Sequence, residues 1–110
     1  MQNFEALRKS TRVNAQIPVR VTSLSPFLQV SEECHTVAVN NHGCGVRVAR
    51  EMELGLPVLL DELPTGQKAT ASVASCVPLG TDGKFWIVGL ELDNTGNIWG
   101  LPSAPSDWVH

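Results

Sequence analysis

Between residues 13 and 21 the chain keeps strict time: Val13, Ala15, Ile17, Val19 and Val21 alternate with Asn14, Gln16, Pro18 and Arg20. A period of two puts one set on a buried face and the other in solvent, which predicts a half-buried strand. Pro18 falls on the outward set; because it cannot donate to a ladder, it predicts an edge position or a bulge. Residues 34–39, 45–50, 57–60, 69–77 and 85–92 read as five further short strands. Turn-forming groups separate them: Asn40-Asn41-His42-Gly43-Cys44-Gly45, Pro64-Thr65-Gly66 and Pro78-Leu79-Gly80-Thr81-Asp82-Gly83. In the last strand Phe85, Ile87, Gly89 and Glu91 alternate with Trp86, Val88, Leu90 and Leu92, so both faces are mostly apolar. Such a strand belongs at the centre of a sheet or under a cover. Six short strands without a long helical period predict an all-β fold, a small antiparallel barrel or sandwich. The organisation expected is a single domain: a lead-in and arm over residues 1–12, a barrel over 13–92, and a Pro- and Trp-bearing tail over 93–110. That tail is expected to lie across the barrel as an extended cover, with no long helix.

Size and charge narrow the field. A chain of 110 residues can bury a core as one domain without staples. Three cysteines, Cys34, Cys44 and Cys76, have no paired spacing and do not suggest a disulfide framework. The opening residues lack the basic-then-apolar pattern of a secretory leader, and no apolar run approaches the roughly 20 residues that span a bilayer. A cytoplasmic protein without membrane insertion is the expectation. The net charge of −3 is uneven, with six Arg and Lys against three acids in the first fifty residues and two lysines against eight acids afterwards. An acidic whole does not suit a grip on long nucleic acid, which needs many phosphate contacts. A local basic arm, Arg8-Lys9-Ser10-Thr11-Arg12, suits a small anion better.

The turn at residues 40–45 carries the candidate chemistry. Gly43 and Gly45 are expected to take positive φ and to leave no Cβ that would hold a ligand off. Asn40 brings an amide, and His42 a ring that donates and accepts when neutral. Cys34, His35, His42 and Cys44 gather near this hairpin and are of zinc-binding type. Neighbours on a strand face opposite ways, however, and there is no Cys-x-x-Cys, so no metal site is expected. Catalysis is not expected either. His42 and Cys44 are two apart on a turn with no third group to orient them, and Glu51, Glu53, Asp61 and Glu62 read as solvated loop charges.

Arg8-x-x-x-Arg12 followed by Asn40-x-His42-x-x-Gly45 resembles the PilZ domain, whose pattern is an Arg-x-x-x-Arg arm and an Asp/Asn-x-Ser-x-x-Gly turn. His42 stands where that family has Ser. The resemblance runs over residues 8–92. It implies a six-stranded antiparallel, Greek-key-like barrel and a non-catalytic receptor for the bacterial second messenger cyclic di-GMP that signals to a protein partner. Arg8 and Arg12 would wrap the ligand from an arm that is mobile without it, while Asn40 and the Gly45 backbone hold a guanine. Micromolar affinity takes about 8 kcal/mol, and a charged hydrogen bond supplies roughly 1.5–3 kcal/mol. Two arginines fall short, so the turn must supply the rest. His42 either stacks on a base or fills the pocket. The second outcome gives the alternative expectation, a PilZ-like adaptor that binds protein and no nucleotide.

Overall fold

A computed structural model describes residues 11–102 and 104–108. Arg8 and the lead-in of residues 1–10 lie outside the described residues. The elements are β1 (Pro18–Ser23), β2 (Ser31–Asn40), β3 (Gly43–Val48), β4 (Pro57–Asp61), β5 (Ala69–Leu79) and β6 (Phe85–Leu92). Every neighbouring pair is antiparallel, and the order β1-β2-β3-β6-β5-β4 closes back on β1 as a barrel. β1, β2 and β3 follow one another, and β4 returns to lie beside β1, which is the Greek-key arrangement. Inward positions carry Val19, Val21, Val46, Val48, Val58, Leu60, Val73, Val88 and Leu90, all nearly or wholly buried. β-branched and leucine side chains fit the pleated wall of a narrow barrel, where each strand sends alternate residues inside. β6 lies between β3 and β5, but in a closed ring every strand has two neighbours, so the central place its two apolar faces predict does not set it apart.

The first strand departs from its expected span. All of the odd-numbered residues from 13 to 21 turn toward the core, yet continuous pairing begins only at Pro18. The cause lies on β2, where the register slips between Thr36 and Ala38 and leaves Val37 as a bulge. The wholly buried Thr36 bridges the interruption with its hydroxyl, which donates to the Ala15 carbonyl and accepts from the Ile17 amide. Pairing resumes upstream as an isolated bridge, with Val13 and Val39 exchanging hydrogen bonds of 2.8 and 2.9 Å. Pro18 starts the strand before pairing with β4 begins at Arg20, so its missing donor is not needed.

β2 begins three residues before its expected start, because Ser31 to Glu33 pair with Arg20 to Thr22 of β1. Glu32 also turns its carboxylate onto the Ala49 amide (2.7 Å). β5 likewise runs on through Pro78 and Leu79, beyond the reach of β4, whose pairing ends at Ser72. The connection from β3 to β4 tucks Met52 and Leu56 into the core. The tail covers the barrel as expected, burying Ile98, Trp99 and Trp108, and among its described residues the helical content is one 3-10 turn, Ser106–Trp108. No helix among the described residues is long and apolar enough to cross a membrane.

Candidate functional site: a cleft floored by main chain

Four small residues stand abreast on the outside of the barrel. Ala38 on β2 pairs with Gly45 on β3, Gly45 with Gly89 on β6, and Gly89 with Ser75 on β5. With so little side chain above it, this row forms the floor of an open cleft of about 230 Å³. Each flanking strand carries a bulge beside the row, at Val37 on β2 and at Ala74 on β5. Bulges bend a strand and sharpen its twist, which curves the sheet at this point. The next register row brings Asn40, Gly43 and Glu91 side by side at one end of the cleft.

The glycines act by what they lack, not by unusual torsions. Gly43 and Gly45 are not among the positive-φ glycines, which corrects the expectation drawn from the turn composition. A Cβ on Gly43 would run into the Leu90 carbonyl, and one on Gly89 into the Ser75 hydroxyl. At Gly45 a Cβ would meet only the methyls of Val37 (3.3 Å) and Ile87 (3.7 Å). Gly43 thus lets two backbones approach, whereas Gly45 keeps the floor low.

The turn itself is held from within and from behind. The Asn40 Oδ1 accepts from the amides of His42 and Gly43, both at 2.9 Å, which closes a two-residue connection. This spends the amide oxygen on the turn, so Asn40 shapes the corner. Trp99 donates its indole N–H to the Asn40 carbonyl (2.7 Å), and the Leu92 amide donates to the His42 carbonyl (2.7 Å). Asn41 is buried beneath the tail, donating Nδ2 to the Trp108 carbonyl (3.1 Å), while its main-chain carbonyl accepts from the Gly96 amide (2.8 Å). His42 is left half-buried on the wall of the cleft.

Arg12 reaches the same cleft from a fixed root. On its N-terminal side the amide and hydroxyl of Thr11 both donate to Asp107 Oδ2 (2.9 and 2.6 Å), and Trp108 donates its indole N–H to the Thr11 carbonyl (2.7 Å). On its C-terminal side Val13 is bridged to Val39. The described end of the arm, Thr11 and Arg12, is thus flanked by these hydrogen bonds on one side and the Val13–Val39 bridge on the other.

Arg12, Asn40, His42 and Gly45 line one cleft. Sequence reasoning missed Ala38, Ser75, Gly89 and Glu91. A glycine in the middle of a strand is a recognised mark of close approach, so Gly89 could have been found. The others become visible only once register is known. Both charged side chains of the cleft, Arg12 and Glu91, are exposed, and among the described residues no ion pair joins them. The cysteines belong elsewhere. Cys34 packs against the core, where burial first and the charge of Glu32 second push its thiol up to about 12. Cys44 is buried and its thiol is likewise pushed up, by burial and then by Cys34. Thiols held neutral in this way are poor nucleophiles. His35 points outward, paired with Pro18 and Arg47, so the strand divides it from Cys34.

These features define a class: a closed Greek-key barrel with an external cleft floored by its own main chain. Compared with known proteins, the chain matches no family model, and no curated protein matches it in sequence.

Proposed function

We propose that the chain is a non-catalytic bacterial receptor domain for cyclic di-GMP, acting in the cytoplasm and signalling to a protein partner. The observation that carries this reading is the meeting of Arg12 with Asn40, His42 and Gly45 around one cleft, from two motifs far apart in sequence. A cleft of about 230 Å³ is smaller than the roughly 300–1,000 Å³ typical of small-molecule sites. It takes one guanine, and the rest of the ligand lies outside it. Arg12 then offers a planar fork to phosphate oxygens or to the O6/N7 edge of the base. Asn40 keeps the corner in shape, Gly45 lets the base approach the sheet, and His42 stands where it can stack on an exposed ring.

Calorimetric titration of the full chain with cyclic di-GMP tests this. Binding is expected, and Arg8→Ala and Arg12→Ala should each weaken it tenfold or more, about 1.4 kcal/mol. Unchanged titrations for both variants would reject the site.

The second reading is the adaptor without a nucleotide. It draws support from an apolar strip beside the cleft, where Val37, Val77 and Leu79 are exposed on the outer face. A flat titration with folded protein would select it.

A further inference from the structure

Glu91 is the feature of the cleft that a simple anion site does not explain. A carboxylate beside a ligand with two phosphates is repulsive unless something on the ligand donates to it. Glu91 lies in register with Gly43, which in turn pairs with Asn40, so β3 separates it from β2. Two strand spacings put its Cα roughly 10 Å from that of Asn40. Arg12 enters from the other bank, through the bridge that ties its neighbour Val13 to Val39 on β2. Asn40 and Gly43 lie between the two charges in that row, and the next row along is Gly45 and Gly89, a floor without side chains on which a flat ring can rest with both charges at one end of it.

A guanine bears acceptors, O6 and N7, on one edge and donors, N1–H and N2–H₂, on the adjoining edge. A guanidinium on one bank and a carboxylate on the other match those two edges. Adenine does not fit the same pair, since its N1 is an acceptor and would face the carboxylate with a lone pair. We infer that Glu91 is the residue that selects guanine, accepting from N1–H and N2–H₂ of a base lying on the Gly45–Gly89 floor while Arg12 holds the adjoining O6/N7 edge. The inference rests on the nucleotide-receptor reading and adds the choice of base to it.

Cyclic di-AMP is the discriminating probe, because it shares the phosphates and sugars of cyclic di-GMP and differs only in the bases. Both are titrated by calorimetry into the full chain and into Glu91→Gln and Glu91→Ala, with thermal unfolding to check each fold. Glu91 is exposed, so both variants should fold. The wild type should bind cyclic di-GMP at least a hundredfold more tightly than cyclic di-AMP. Either substitution should weaken cyclic di-GMP tenfold or more and narrow the gap between the two ligands. If the wild type binds cyclic di-GMP and the variants keep its affinity and selectivity, the assignment of Glu91 is overturned while the receptor reading stands. Tighter binding of both ligands by Glu91→Gln would also overturn it, reducing Glu91 to a charge that repels phosphate. If the wild type binds neither ligand, the receptor reading fails and the assignment falls with it.

Discussion

The hydroxyl of Thr11 donates to Asp107 Oδ2 at 2.6 Å, joining residues 96 positions apart, and the Thr11 amide donates to the same oxygen at 2.9 Å. One carboxylate near the end of the tail thus fixes the residue that precedes Arg12. A charged acceptor taking two short bonds on an exposed surface contributes modestly, about 1 kcal/mol. Asp107→Ala should lower stability by about that amount in chemical denaturation, and Asp107→Asn by less. Amide exchange at Thr11 and Val13 should quicken in the Ala variant. Unchanged exchange at both would mean that Trp108 and the Val13–Val39 bridge fix the root of the arm without Asp107.

Two glycines of β3 should behave differently. Gly43→Ala drives a methyl into the Leu90 carbonyl, where neither backbone can yield without breaking the β3–β6 pairing. A loss of 3 kcal/mol or more, about the upper range for overpacking, is expected. Gly45→Ala asks only that the Val37 and Ile87 methyls shift slightly, and should cost under about 1 kcal/mol. Its effect belongs in ligand titrations, since the methyl rises from the cleft floor. Equal thermal destabilisation by the two would contradict this division.

Thr36 supplies a third test. Its buried hydroxyl satisfies one donor and one acceptor of the chain between Val13 and Pro18. Thr36→Val keeps the shape and strands both groups, at a cost of about 2 kcal/mol. Urea unfolding measures it, and a change below about 0.5 kcal/mol would show that the groups find other partners.

Acid should expose the pair on the far wall. Arg20 donates to Asp61 through Nε (3.0 Å) and Nη2 (2.7 Å), which holds the Asp61 carboxyl below the usual carboxylate range. A carboxyl with a lower pKa in the folded state stabilises the fold when ionised. That contribution is complete above the unfolded value of about 3.9 and is lost as pH falls through the lower folded value. As pH falls below about 4 the wild type should therefore lose more stability than Asp61→Asn, as denaturation at each pH will show. Parallel curves would remove the pair from the account of acid unfolding.

Local pattern reached far in this chain. The period of two from Val13 to Val21 marked the inward set, and the ends of β6 lie where its alternation stops. Arg12 and the glycine corner were also legible as candidates for one site. What escaped was whatever depends on register. Ser75 and Gly45 come within two strands of each other only through pairings with Gly89, and nothing in their own neighbourhoods announces it. The bulges at Val37 and Ala74 were hidden for the same reason, as each is defined by its partner strand. Ser31 to Glu33 look like a loop in isolation; pairing with Arg20 to Thr22 of β1 makes them strand.

A bed made of Gly45 and Gly89 has no rotamers to rearrange. Its contour can change only if ladder bonds among β2, β3, β6 and β5 give way, which a closed barrel resists. Whatever rests there meets a surface already in its final shape, so little ordering cost remains on the side of the sheet. Discrimination between rival guests is then left to the two charged side chains at its margins and to the ring of His42.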